Sequence, residues 1–215
     1  MVTDATPQRA DASGRRADAL EDRLLDAAMA LGERWGLAKV TVDDIAAAAG
    51  VSRATLYRMF PGGKDVLFDA LRVRHLEEYF SRLTAELEGL DDLEDFLVRA
   101  VVASTLELRD DRHLAVMLAT EPGEALGQLT VGGLPRIIRM ATTFLAPLVV
   151  RFLPRPDAGR LVDVVARLVI SYFLAPSDHV DLGDPESARR FLSASVIPAF
   201  VPPPAFAGRP HQELT

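Results

Sequence analysis

The chain contains no cysteine, and this absence excludes disulfide frameworks, Cys-ligated zinc sites and thiol nucleophiles. It also agrees with a reducing compartment. The first 19 residues contain no apolar run of the kind that forms a signal peptide. The most apolar stretches, residues 141–150 and 168–176, fall well short of the ~20 residues that cross a bilayer. We therefore expect a cytoplasmic protein with no membrane partner.

Sequence patterns of enzyme active sites are also missing. The four histidines are scattered along the chain at His75, His113, His179 and His211, and none lies in an H-E-x-x-H pattern. The glycine-rich stretch at 121–135 has neither the G-K-[ST] of a phosphate-binding loop nor a strand before it. We expect this stretch to be an irregular, mobile connection. The sequence predicts neither an enzyme nor a cofactor or metal site.

The charge is unevenly distributed over the 215 residues. The formal net charge of −7 speaks at first against a nucleic-acid partner. However, residues 1–75 contain 11 basic and 11 acidic side chains, while residues 76–215 contain 13 and 20. Screening confines phosphate interactions to ~8–10 Å, so DNA binding needs only a local basic face. The acidic total therefore does not exclude DNA binding.

Three helices are predicted between residues 18 and 63. In the first, apolar residues recur at helical spacing at Leu20, Leu24, Ala28, Leu31 and Trp35. The second begins at the capping pattern of Thr41 and Asp44 and ends at Gly50, where the backbone needs a positive φ. The third is capped by Ser52 and ends before Pro61.

The second and third of these helices are joined by a very short turn. Ala46 is small enough for a close crossing, Gly50 allows the bend, and Leu56 anchors the third helix from below. This combination at this spacing is typical of a helix-turn-helix.

Residues 41–71, TVDDIAAAAGVSRATLYRMFPGGKDVLFDAL, resemble the N-terminal domain of the TetR family of transcriptional regulators. The family pattern is T-x-x-x-I-A-x-x-A-G-V-S-x-x-T-L-Y-x-x-F, and the turn before Lys64 is one residue longer here than its commonest form. The resemblance covers about residues 20–72. It implies an all-α fold with an N-terminal three-helix DNA-binding domain and a larger helical domain for ligand binding and dimerisation. We place these domains at 18–63 and 64–200, with a disordered arm at 1–17 and a disordered tail at 201–215.

The outward face of the third helix carries side chains suited to DNA. Arginine can bind guanine with two hydrogen bonds, and hydroxyl groups can donate to phosphates. The resemblance implies base reading by Arg53, Ala54 and Arg58. Backbone contacts are implied for Thr55 and Tyr57, and phosphate contacts for Thr41 and Lys64; Ser52 completes the set of DNA-binding residues. Packing of Tyr57 against the first helix remains an alternative.

The larger domain contains a helix at 157–175 that is apolar on almost all sides, and such a helix must be covered on both faces. We therefore expect a homodimer interface formed by this helix and the last one, at 184–198, as the resemblance also implies. A two-fold dimer fits a palindromic operator, with its two heads in the major groove ~34 Å or more apart.

The resemblance further implies a ligand cavity in this domain. Candidate lining residues are Phe96, His113, Met117, Phe144, Leu148 and Phe173, with ordinary core packing as the alternative. Their composition favours a small apolar ligand, acyl-chain-like or drug-like. On family grounds we predict a repressor that this ligand releases from its operator. The alternative is a helical interaction or ligand-binding protein that does not bind DNA.

Overall fold

The computed structural model describes residues 8–36, 39–120, 122–130 and 132–201. Within these ranges all regular secondary structure is helical, which confirms the predicted all-α fold. The elements are α1 Gln8–Trp35, α2 Val42–Ala48, α3 Arg53–Met59, α4 Lys64–Leu87, α5 Leu93–Asp110, α6 Arg112–Thr120, α7 Pro122–Leu129, α8 Leu134–Val149, α9 Arg155–Leu174, α10 Pro185–Ser195 and a short 3-10 helix Ile197–Ala199. No helix in these ranges is both long and apolar enough to span a membrane.

Helix α1 begins at Gln8, ten residues before the predicted start at 18. The prediction of a disordered arm is therefore corrected for residues 8–17; residues 1–7 lie outside the described part. Residues 8–17 are rich in alanine and arginine, which are strong helix formers. They lack an apolar face, so the periodicity used to locate the helix could not detect them. The predicted tail at 201–215 lies outside the described residues from 202 onwards.

The chain divides into two compact units, residues 1–76 and 77–215. The boundary therefore falls inside α4, not at the predicted position before Lys64. Leu67, Phe68 and Leu71 from the first half of α4 are buried with α1, α2 and α3, which places this half in the first unit.

The first unit has a single apolar core. Leu24 of α1, Ile45 of α2 and Leu56 of α3 have no solvent exposure. The small residues Ala28 and Ala46 are also buried there, and they let neighbouring backbones approach closely. The burial of Ala46 and Leu56 confirms the two anchor positions predicted from the sequence.

In the second unit α8 packs against α9, and α5 packs against both α9 and α10. Phe96, Leu161 and Leu192 are almost completely buried among these helices. Arg189 of α10 forms ion pairs with Glu94 and Asp95 at the start of α5, both at 2.6 Å.

The stretch at 121–135 is largely helical, which corrects the prediction of an irregular connection. Helix α7 occupies Pro122–Leu129, and α8 begins at Leu134. Pro122 is at the first helical position, where its fixed φ is favourable. Leu129 is buried with Leu114 and Ile170, so tertiary packing offsets the low helix propensity of the glycines.

Helix α9 is covered mostly by its own chain. Leu161, Val165 and Val169 are buried within the second unit. The sequence had suggested that so apolar a helix needs a partner subunit to cover it. Because the second unit already buries most of its apolar side chains, its apolar character does not by itself require a partner. The outward positions Arg160, Val164, Arg167 and Ser171 recur at helical spacing and are exposed.

Candidate nucleic-acid interface

Helix α2 begins with a capping box, as predicted from Thr41 and Asp44. Thr41 Oγ1 accepts a hydrogen bond from the Asp44 N–H (3.2 Å), and the Thr41 N–H donates to the Asp44 carboxylate (3.0 Å). These bonds satisfy donors that a helix N-terminus leaves unpaired. The Thr41 hydroxyl and then its backbone N–H lower the pKa of the Asp44 carboxyl. Thr41 is exposed at this end of α2; a phosphate contact by Thr41 is what the family resemblance implies.

The turn between α2 and α3 depends on Gly50, whose φ of +66° is one that other residues rarely adopt. The Val51 N–H donates to the Ala46 carbonyl (2.9 Å), which closes the turn. Arg23 of α1 donates from Nη2 to the Ala49 carbonyl at the end of α2. A cation at this position also interacts favourably with the helix C-terminus. Sequence reasoning missed Arg23, because its partner lies 26 residues away and no local pattern connects the two.

Helix α3 is anchored at its start and along its inner face. Ser52 caps it, with Oγ accepting from the Thr55 N–H (3.1 Å) and lying 2.9 Å from the Thr55 hydroxyl. Leu56 is 0% and Phe60 4% exposed, so both face the core as predicted. The side-chain hydroxyls of Ser52 and Thr55 thus bond to each other at the N-terminal end of α3.

The opposite face of α3 is exposed at Arg53, Ala54, Tyr57 and Arg58. The structure therefore brings four of the five predicted DNA-binding residues of this helix to one surface, while Thr55 is half-buried at its N-terminal end. No acidic residue occurs within α3. A short rigid helix with two outward arginines and a phenolic hydroxyl has the chemistry needed for phosphate and base-edge contacts.

Arg53 is held by two neighbours. Its Nη1 donates to both carboxylate oxygens of Asp43 on α2 (3.0 and 3.2 Å), and its Nη2 donates to the Tyr57 hydroxyl (3.4 Å). The guanidinium carbon also lies 5.4 Å from the centre of the Tyr57 ring. The Tyr57 hydrogen bond, followed by the Asp43 charge, raises the pKa of the Arg53 guanidinium. Sequence reasoning did not identify Asp43 as part of this surface.

The turn after α3 supports Tyr57. Gly63 has a φ of +70°, and a Cβ atom built there would lie 2.9 Å from Tyr57 Cε1. The bare backbone of Gly63 thus makes room for the Tyr57 ring, which is 40% exposed. Lys64, the first residue of α4, has its Nζ 5.4 Å from the centre of the Phe68 ring. Lys64 is thus placed at the start of α4, directly after the turn.

The described candidate ligand-lining residues all lie in the second unit, and they have different aromatic or apolar neighbours. Phe96 is 1% exposed and packs against Phe152, with ring centres 5.8 Å apart. Phe144 stacks on Phe80 at 6.1 Å, and Phe173 packs beside the buried Leu114, Leu129 and Ile170. Leu148 is half-buried. The side chains of His113 and Met117 lie outside the described part.

A three-helix unit that anchors a short helix and turns its arginines outward defines a DNA-binding helix-turn-helix protein. The sequence model of the bacterial regulatory proteins, tetR family, matches residues 24–71. An uncharacterised HTH-type transcriptional regulator of Mycobacterium tuberculosis is 31% identical over 205 residues, which cover 92% of this chain and 93% of the relative. This chain belongs to the TetR family of transcriptional regulators. Proteins of this family bind operator DNA, dimerise and act as regulators rather than enzymes.

Solved structures share the fold of most of the chain. The TetR-family repressor AlkX from a Dietzia species, implicated in biodegradation of n-alkanes, superposes with a TM-score of 0.62 at 23% identity, covering 83% of this chain and 94% of AlkX. The multidrug binding protein EbrR, complexed with imidazole, gives a TM-score of 0.53 at 23% identity and covers 93% of each chain. At this identity the two structures establish a common fold.

Proposed function

We propose that this protein is a repressor that binds a palindromic operator as a homodimer and leaves it when a small apolar ligand binds. The observation that carries the proposal is the outward face of α3, where Arg53 and Arg58 are exposed above a completely buried Leu56. Rigid support of arginines favours base reading, because the geometry of two simultaneous hydrogen bonds tolerates little movement. Operator binding would place the protein in the cytoplasm.

Selection of operators from random DNA with the full-length protein tests the DNA-binding part. We expect enrichment of a roughly palindromic sequence whose half-sites are spaced for two heads of a dimer. Failure to enrich any sequence would favour the alternative, a helical interaction or ligand-binding protein.

Arg58 provides a direct test on the selected operator. Replacement by alanine should weaken binding roughly 5- to 150-fold, the range expected for one good bidentate base contact. The matched control is Arg99→Ala, which removes an exposed arginine from α5 in the second unit and should leave operator affinity unchanged. An Arg58→Ala variant with wild-type affinity and base preference would exclude Arg58 from base reading.

The proposed dimer uses the predicted segments 157–175 and 184–198, which α9 and α10 largely occupy. Between them Tyr172 and Phe191 make an edge contact with ring centres 5.4 Å apart, and both side chains are half-buried. On the exposed stripe of α9, Val164 is 37% exposed. Val164→Glu would place a like charge opposite itself across a two-fold axis, and analytical ultracentrifugation should then detect monomers. A variant that remains fully dimeric would place the interface elsewhere.

The proposed ligand site includes the half-buried Phe144, Leu148 and Phe173, together with Phe96, His113 and Met117. The choice of an apolar ligand agrees with the implication of AlkX in n-alkane biodegradation. A thermal-shift screen with fatty acids, acyl derivatives and aromatic drugs would identify candidates, since a ligand that binds the native state raises its stability. Only a compound that also releases operator DNA would qualify as the inducer.

The proposed mechanism is a ligand-dependent change in the spacing of the two heads through the helix at 64–90. The absence of native cysteines makes a distance measurement direct. Glu33→Cys, at an exposed position of α1, provides one spin-labelling site per subunit, and the dimer then reports a single label-to-label distance. We expect this distance to change with the inducer; an unchanged distribution in the presence of a compound that releases DNA would refute the mechanism.

A further inference from the structure

The ion pair between Asp43 and Arg53 points to a second determinant of sequence recognition. We propose that Asp43 is a positioning residue, which orients Arg53 for one base pair of the operator and so increases discrimination between DNA sequences. The inference rests on the proposed function, in which Arg53 reads a base. Helix α2 would then contribute to sequence specificity through Asp43, in addition to the base contacts made from α3.

Asp43 and Tyr57 contact the Arg53 guanidinium from two different helices, through the carboxylate at 3.0 Å and the hydroxyl at 3.4 Å. Together these contacts use no more than three of the five N–H donors of arginine, so donors remain for the two acceptors on the edge of a guanine. Holding the long side chain before DNA arrives reduces the conformational entropy lost on binding.

Asp43 is not the residue that caps α2. An acidic residue in the first turn of a helix commonly serves to stabilise the helix N-terminus. In α2, however, Asp44 forms the capping box with Thr41, and the Asp43 carboxylate turns instead to Arg53. The side chains of Asp43 and Arg53 are 65% and 60% exposed, and exposed pairs of this kind contribute little to stability.

A carboxylate beside the DNA-facing helix repels phosphates and so weakens binding to every DNA sequence. A surface optimised only for affinity would not carry an acid there. Repulsion acts on operator and non-operator DNA alike, so it lowers affinity without changing their ratio. Orientation of Arg53 strengthens only the complex with the correct base pair, and this effect raises the ratio of operator to non-operator affinity.

The test compares Asp43→Asn, Arg53→Ala and the double variant in the full-length protein. Asparagine preserves the size of the side chain and removes its charge. Dissociation constants are measured by fluorescence anisotropy on the selected operator, on the set of its single base-pair substitutions, and on a non-operator duplex. Arg53→Ala identifies the base pair that Arg53 reads, because discrimination is lost there.

We expect Asp43→Asn to reduce discrimination about tenfold at that same base pair, a typical part of the 5- to 150-fold carried by a bidentate contact. Other positions should change less than about twofold, and binding to the non-operator duplex should tighten. In the Arg53→Ala background, Asp43→Asn should have no further effect on discrimination, because the residue it positions is gone. Asp91→Asn, at an exposed carboxylate in the second unit, controls for net charge and should match the wild type.

Two results would overturn the inference while leaving the proposed function intact. In the first, Asp43→Asn tightens binding to all duplexes by one common factor, and Asp43 is then only a repulsive charge. In the second, Arg53→Ala preserves discrimination at every base pair, and Arg53 then needs no positioning. Thermal melts separate these outcomes from misfolding, and Asp43→Ala serves as a second variant that removes all contact with Arg53. Lack of any enriched operator for the wild type would instead refute the proposed function itself.

Discussion

Leu56 lies on the inner face of α3, has no solvent exposure and packs in the core of the first unit. Replacement by alanine removes three carbon atoms from a fully enclosed site. Substitutions of this type cost about 2.7–5.0 kcal/mol, depending on how far the neighbours can collapse into the cavity. A unit of this size has a total stability of roughly 4–11 kcal/mol at 0.05–0.15 kcal/mol per residue. We therefore expect a loss of about 3 kcal/mol, a large share of what holds α3 in place.

Hydrogen–deuterium exchange with mass spectrometry measures this loss where it occurs. A decrease of about 3 kcal/mol in the free energy of unfolding should accelerate exchange of the α3 amides about 150-fold, when exchange is limited by the open population. Leu106→Ala is the matched control, because the same atoms are removed from a side chain that is 44% exposed. Its effect on stability should remain within about 0.5 kcal/mol.

Less than fivefold acceleration in α3 would refute the reasoning. So would equal acceleration at α3 by the buried and the exposed substitution. Either result would mean that contacts other than those of the buried Leu56 hold α3 against the rest of the first unit.

Three further predictions concern single side chains. The N-cap threonine lowers the pKa of Asp44 below its ordinary value of 3.8. The stabilisation that the ionised Asp44 carboxylate gains from these hydrogen bonds is therefore present above that pH and is lost as the pH falls through the folded-state pKa. Urea unfolding should therefore show a gap between wild type and Asp44→Asn that narrows at pH 3, and a constant gap would contradict the assignment. Burial raises the pKa of Tyr79 from 10.0 to about 12. The buried, neutral phenol therefore keeps its full contribution to stability below pH 10, and that contribution is lost as the pH rises towards 12, because the unfolded chain ionises first. Wild-type stability should accordingly fall more steeply between pH 9 and 11 than that of Tyr79→Phe, and equal slopes would be evidence against it. Gly63→Ala should lower the melting temperature more than Gly89→Ala: both glycines have positive φ, but only at Gly63 would a Cβ atom contact the Tyr57 ring, at 2.9 Å. Equal shifts would show that the contact has no cost.

Much of the helix-turn-helix formed by α2 and α3 could be predicted, because its signals are local in sequence. The caps at Thr41 and Ser52 need only a hydroxyl three residues before a backbone N–H. Gly50 is required by the backbone conformation of a single turn. The burial of Leu56 and Phe60 follows from their spacing of four on one helix. Each of these features is determined within a few residues of chain.

The sequence was less informative where a helix has no apolar face and where packing overrides local preference. Helix α1 extends back to Gln8 without an apolar face, and α7 forms at Pro122–Leu129 despite two glycines. In the second unit, candidate ligand residues of the same type have different ring neighbours, Phe152 for Phe96 and Phe80 for Phe144. Composition cannot predict such pairings, because any large apolar side chain could fill either position.

The sequence by itself determined the class of the protein, since the spacing of caps, glycine and apolar anchors in residues 41–60 is that of a helix-turn-helix. Only the tertiary structure decided which residues contact the arginines of this helix-turn-helix and of the helix packed against it. Asp43 belongs to a different helix from Arg53, and Arg23 reaches the Ala49 carbonyl from 26 residues away. Such contacts depend on how helices cross, and a crossing is set by the sum of many weak packing interactions rather than by any local pattern.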